Sequence, residues 1–141
     1  MARSRGTELA QLLLGTFDAM VDEVVAGLAE QGHPGVRPGH EFALTAIDAG
    51  ATTASALGRH LGVSKQAAAK TVAALTQLGY TTTTPDPTDG RRQLLQVTPR
   101  GHEMMTLGAA LFDRIHARWS HQLGTRAVAG LESTLKQLTS D

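Results

Sequence analysis

Ser64, Lys65, Gln66, Ala69 and Lys70 fall in one short stretch, and the pair Arg91 and Arg92 follows beyond a turn-rich segment. A helix starting after Ser64 would turn Ala68, Val72, Leu75 and Leu78 inward and leave Lys65, Gln66, Ala69, Lys70, Ala73 and Gln77 outward. That outward face is small and polar, as a DNA major groove requires. A glutamine amide can pair with adenine, and a lysine can reach guanine or a phosphate. Ser64 is a good N-cap, and the free amides of the first turn beside it suit a phosphate oxygen. Two arginines just past a turn form a cationic tip able to enter a minor groove or lie along phosphates.

Other chemistries find less support. The six histidines include the pairs His40-Glu41 and His102-Glu103, but His116 and His121 are five residues apart and share no helical face. No His-x-x-x-His pair is present, and with no cysteine there is no thiolate ligand, disulfide or redox thiol. No metal site or cofactor is therefore expected. Nucleophile elbow, P-loop and dinucleotide glycine patterns are all missing, so no enzyme is expected and no residue is assigned as catalytic.

The elements that must carry the reading face are legible around it. From Thr7 to Gln31, Leu9, Leu12, Leu13, Phe17, Met20, Val21, Val24, Val25 and Leu28 keep the three-and-four spacing of one helical face. Gly32 and the Pro34 to Gly39 stretch end that helix. A second helix is expected over His40 to Ala49 and a third from a Thr53 cap to Gly62. Gly58 and Gly62 let this helix and the Ser64 helix meet at a tight turn over a small shared core of Leu61, Ala68, Val72 and Leu75. The β-branched run Thr81 to Thr84 predicts a strand, Pro85 to Gly90 a turn, and Gln93 to Val97 a second strand. Thr98-Pro99 opens a long helix carrying Met104, Met105, Leu107, Leu111, Phe112, Ile115 and Trp119. Thr125 is expected to cap a last helix in which Val128, Leu131, Leu135 and Leu138 follow a 3-4-3 spacing. The fold class is mainly α with a small β-hairpin wing: a winged helix-turn-helix between long N- and C-terminal helices.

At 141 residues, with 41% apolar and 18% charged, the chain suits a single domain with a real core. Its formal net charge is zero, but the charge is unevenly placed. Residues 1–56 hold three basic and seven acidic side chains, whereas residues 57–102 hold six basic and two acidic. A basic centre flanked by acid is what a polyanion-binding segment in a neutral protein looks like. The run Leu12-Leu13-Leu14 is short for a secretory core and is bracketed by Glu8 and Asp18, and no stretch is long enough to span a membrane. A cytoplasmic protein without a membrane partner is expected.

Residues 53–105 resemble a MarR-type regulator, the family of multiple-antibiotic-resistance repressors. Leu57-Gly58-Arg59-His60-Leu61-Gly62-Val63-Ser64-Lys65-Gln66-Ala67 is similar to that family's entry into its recognition helix, and Leu75-Thr76-Gln77-Leu78-Gly79-Tyr80 to its end. Asp86-Pro87-Thr88-Asp89-Gly90-Arg91 resembles the wing motif D-P-x-D-x-R, and Leu95 to Gly101 the following L-x-x-T-x-x-G. The first helix and the last two are similar in length and apolar pattern.

The resemblance implies a transcriptional repressor that binds a palindromic operator in double-stranded DNA as a homodimer, with half-sites about one helical turn apart. It places Ser64, Lys65, Gln66, Ala69, Lys70 and Thr71 at or near the major groove, Arg91 with Arg92 at the minor groove, and Asp89 as the acid that orients Arg91. Residues 7–31 and 99–139 become dimerisation helices around a DNA-binding lobe over residues 40–98. Burial between two chains would account for apolar stripes too wide for a monomer. The family's small aromatic or phenolic effectors, bound between the dimerisation helices and the lobe, would release DNA. The Met104, Met105, Phe112 and Trp119 face could line such a cleft, although such a stripe is more often core. Ala73 and Ala74 replace an acid and an arginine frequent in the family, and threonines replace a basic start to the wing. Modest affinity and a shallow salt dependence are expected. The competing reading is a winged-helix protein–protein interaction module without sequence-specific DNA binding.

Overall fold

Six helices and one antiparallel hairpin make up the described residues, 2–140, of a computed structural model. In chain order they are α1 (Arg5–Glu30), α2 (His40–Asp48), α3 (Ala54–Leu61), α4 (Lys65–Gln77), β1 (Thr81–Asp86), β2 (Asp89–Val97), α5 (Pro99–Leu123) and α6 (Thr125–Thr139). The mainly helical fold with a hairpin wing agrees with the reading of the sequence. The chain divides into two compact units, one running to Gly108 and one starting at Ala109.

In the first unit, local chemistry sets most boundaries. The Ser4 hydroxyl accepts from the Thr7 amide at 3.2 Å to start α1, and Thr53 and Ser64 cap α3 and α4 in the same way at 3.1 and 3.0 Å. Between α3 and α4 the chain turns on Gly62 at φ 71°, while the Val63 amide donates to Gly58 O at 2.9 Å. Gly58 is required for a different reason: a Cβ there would lie 2.9 Å from Val63 O, so any side chain would push the two helices apart. Gly79, at φ 86°, reverses the chain from α4 into β1.

The core beneath α4 consists of Leu44, Ile47, Leu57, Ala68, Leu75 and Tyr80, each all but excluded from solvent. Each of the larger apolar side chains gains about 1.5–3 kcal/mol from that burial. Leu61 and Val72, expected in the same core, are half-buried at its margin.

The wing departs from expectation in its boundaries. Both strands run further than the residue types suggest, so the turn shrinks to Pro87 and Thr88 between the paired Asp86 and Asp89. Asp86 makes the tight turn: its Oδ1 accepts from the Thr88 amide at 2.8 Å and the Thr88 hydroxyl at 2.7 Å. Arg91 and Arg92 therefore stand on β2 and not on a flexible tip. The hairpin is tied back by the Leu95 amide donating to Thr52 O at 2.8 Å and the Thr98 amide donating to Tyr80 O at 3.0 Å.

Helix α1 is split by exposure. Val21, Val24 and Leu28 are buried, whereas Leu9, Leu12, Leu13, Leu14 and Phe17 are exposed, Leu12 at 68% against 1% for Leu28. Phe17 stacks on Phe42 of α2 with ring centroids 6.0 Å apart.

In the second unit, Leu111, Ile115 and Val128 are buried, and His116 Nε2 lies 2.8 Å from Glu132 Oε1, joining α5 to α6. Helix α6 starts from Gly124 as N-cap with no side-chain cap; Thr125 is its first helical residue and not the cap. Of the apolar residues spaced along α6, Val128 is buried, whereas Leu131 and Leu138 are exposed.

Candidate nucleic-acid interface

Helix α4 turns its sides as its sequence requires. Ala68 and Leu75 are buried, and Lys65, Gln66, Ala69, Lys70, Ala73 and Gln77 are exposed. The first exposed turn keeps amides without intrahelical acceptors, since Ser64 Oγ takes only the Ala67 amide. An anion meeting this end would find those N–H groups, the positive end of the helix dipole and Lys65 together. Thr71 is half-buried, and its hydroxyl donates back to Ala67 O at 3.2 Å.

The wing supplies a second cationic point. Arg91 extends into solvent with its side chain 94% exposed, and Asp89 steadies its base: Oδ1 accepts from the Arg91 amide at 3.1 Å and lies 3.5 Å from Nε. Arg92 leans the other way, with Nε 4.0 Å from Oδ2 of Asp86. Asp86 is buried, and its hydrogen bonds from the Thr88 backbone and side chain hold the carboxyl below its ordinary range. It stays ionised and can hold Arg92. Its partners all belong to the turn itself, Thr88 on Oδ1 and Arg92 facing Oδ2.

The structure does not gather these residues into one cluster. Thr76 Oγ1 and Thr81 Oγ1, 2.8 Å apart, join the C-terminal end of α4 to the start of β1, and the arginines stand at the far end of the hairpin. A six-residue strand spans about 20 Å. Lys65 to Lys70 and Arg91 are thus separate contact points, a spacing suited to an extended polyanion.

One feature escaped the sequence reading. A cavity of about 580 Å³ opens beside α4, lined by Arg37, His40, Phe42, Val63, Lys70 and Thr71 among others. Lys70 and Thr71 therefore face it as well as the outer side of α4. His40 Nδ1 accepts from the Arg37 amide at 3.0 Å, and burial, aided by the Arg37 charge, pushes its pKa down. The imidazole is neutral at pH 7, leaving Arg37 and Lys70 as the cationic groups of the wall. The cue was Arg37-Pro38-Gly39, read only as a loop, directly before His40 at the start of α2. Met104, by contrast, is fully buried core, and none of Met104, Met105, Phe112 and Trp119 lines this cavity. Among the described residues no group of three or more His, Asp or Glu is placed to hold a metal ion, and no helix is long and apolar enough to cross a membrane.

Helix α3, the Gly62 turn, α4 and the hairpin that follows define a winged helix-turn-helix protein. Residues 42–92 match the model of the MarR family, whose members are transcriptional regulators and not enzymes. No curated protein matches the chain in sequence. Solved structures match it in fold over nearly its whole length. A MarR-family transcriptional regulator from Rhodococcus sp. RHA1 has a TM-score of 0.72 at 19% identity, covering 97% of each chain. A mutant MarR from Escherichia coli complexed with operator DNA gives 0.76 at 21%, covering 94% of each. CouR from Rhodococcus jostii RHA1 bound to p-coumaroyl-CoA gives 0.71 at 19%, covering 97% of this chain and 95% of CouR. Residues 42–92 thus match a MarR-family model in sequence, and the chain as a whole is similar in fold to MarR-family regulators.

Proposed function

We propose that this protein is a transcriptional repressor that binds a palindromic DNA operator as a homodimer in the cytoplasm. The observation that carries the reading is the outward side of α4: a capped helix N-terminus, Lys65, Gln66 and Lys70 on a face otherwise made of alanine, and the core on the opposite side. Ser64, Lys65, Gln66, Ala69, Lys70 and Thr71 enter the major groove, while Arg91, steadied by Asp89, and Arg92 reach the flanking backbone or minor groove. The similarly folded E. coli protein complexed with operator DNA supports this assignment. Residues 7–31 and 99–139 supply the dimer contacts around the lobe at 40–98, and the exposed leucines of α1 are the reason to place a second copy there.

A small aromatic acid in the cavity beside α4 would release DNA. Its carboxylate would pair with Arg37 and Lys70 and its ring would pack on Phe42 and Val63, withdrawing Lys70 from phosphate. CouR, similar in fold, is bound to an aromatic acyl thioester. The test is a mobility-shift titration with the promoter of the protein's own operon. Lys65→Ala, Lys70→Ala and Arg91→Ala should each weaken binding by about tenfold or more. Binding unchanged in all three would overturn the DNA-reading assignment and favour a protein–protein interaction module.

A further inference from the structure

The C-terminal end of α4 is built more heavily than a helix end needs. Tyr80, two residues past the Leu78 C-cap, is fully buried, and its hydroxyl lies 2.8 Å from Nδ1 of His33, itself 1% exposed, in the segment following α1. His33 Nε2 faces Glu103 Oε2 of α5 at 3.6 Å. An Nε2–H tautomer satisfies both sides, with the phenol donating to Nδ1 and the imidazole proton directed at the carboxylate. Burial pushes the Tyr80 hydroxyl up, so it keeps its proton. From the first turn of α5, Arg100 lies over the Tyr80 ring at 5.3 Å and donates from Nε to Leu78 O and from Nη2 to Gly32 O, each at 3.3 Å. The Thr98 hydroxyl donates to Gly79 O at 2.6 Å. Gly101 is the only residue that fits there, because a Cβ would strike Tyr80 O and come within 2.6 Å of Val97 Cγ1. One guanidinium thus ties together carbonyls beyond the ends of α1 and α4, while the buried His33–Tyr80 pair links the same two elements from inside.

We propose that His33, Tyr80 and Arg100 form a joint that fixes the direction in which α4 and the wing leave α1 and α5, making them positioning residues that set the half-site separation the dimer accepts. The inference rests on the repressor reading above. Its lever is geometric. Thirteen helical residues span about 20 Å, so a tilt of about 5° at the joint moves the reading end of α4 by about 2 Å. Two protomers together then change the separation by about one base-pair rise, roughly 3.4 Å. None of the three residues lies on the outward face of α4, so they act on spacing and not on base recognition.

The test uses the full-length protein and inverted-repeat duplexes selected by the wild type from a randomised pool. Spacers are varied by up to two base pairs either way, with a single half-site duplex as reference, and binding is followed by fluorescence anisotropy. The wild type should lose about tenfold in affinity for a one-base-pair change, and Tyr80→Phe and Arg100→Ala should cut that penalty to about threefold or less while half-site affinity stays within about twofold. Arg100→Lys keeps the charge but not the two-pronged geometry, and should leave the spacing preference as broad as Arg100→Ala. If lysine restores the wild-type profile, Arg100 acts as a simple cation and the joint is wrong. An unchanged profile in Tyr80→Phe and Arg100→Ala, or a loss equal across every duplex and the half-site, also overturns it. If the wild type retains no DNA from the pool, the repressor reading is overturned, and the joint falls with it.

Discussion

Helices α4 and α1 both present surface to water, and the two surfaces are opposite in kind. Helix α4 exposes Lys65, Gln66, Ala69, Lys70, Ala73 and Gln77, whereas the first half of α1 exposes Leu9, Leu12, Leu13 and Phe17 at three- and four-residue intervals. The α4 face costs little to leave wet, because alanine carries small apolar area and the rest hydrogen-bond to water. Each exposed leucine of α1 forgoes about 1.5–3 kcal/mol of burial. A polar face with a free helix N-terminus waits for an anion, and an apolar stripe waits for apolar surface. Lys70 refines the contrast, since it borders both the outward face and the cavity beside α4.

The largest expected effect comes from spoiling the apolar side. Leu12→Glu combined with Phe17→Glu should halve the apparent mass in sedimentation at micromolar concentration and weaken operator binding by about 100-fold or more, because the two linked reading heads of the proposed dimer become one. An unchanged mass would break the assignment of α1 to a second copy. Next in size, Lys65→Ala with Lys70→Ala should lower DNA affinity about 10- to 100-fold and flatten the salt slope by about two, with mass and urea midpoint unchanged. If the double variant changes association instead, the roles of the two faces are reversed.

Gly58→Ala probes the support beneath α4. The added methyl meets Val63 O at 2.9 Å and should cost about 1–3 kcal/mol in urea unfolding, with DNA binding weakened in step. The smallest effect is electrostatic. Glu41 is half-buried beside Phe42, the residue that stacks on Phe17, and burial raises its pKa above the ordinary 4.5. The native state then holds this proton more tightly than the unfolded chain does. Its contribution to stability is greatest below pH 4.5 and declines as pH rises through the native value. Glu41→Gln should therefore raise the urea midpoint at pH 7, with the gain vanishing near pH 4. His40 works in the opposite sense: its lowered pKa makes the protein less stable as pH falls below 6.5. An equal gain for Glu41→Gln at both pH values would rule out the titration as its cause.

Local chemistry made much of this legible in advance. Ser64 as cap, the Gly62 turn, Gly79 as stop and the polar side of α4 all depend on residues within one or two helical turns, and a sequence holds that information at short range. The resemblance to MarR-type regulators rested on the same local segments, and the family match covers much of that stretch. Thr125 shows where local reasoning fails, since a good capping residue was passed over in favour of Gly124. What tertiary structure decided lay between residues far apart in the chain. The wing sits where it does because the Leu95 amide reaches back to Thr52 O and the Thr98 amide to Tyr80 O. The apolar run of α1 is continuous in sequence, but neighbours cover only its second half. The cavity exists because Arg37 and His40 meet Lys70 across some thirty residues of chain. Periodicity states that a face is apolar or polar. Which part of that face finds a neighbour, and which is left for another molecule, depends on how the elements pack, and no local pattern encodes that.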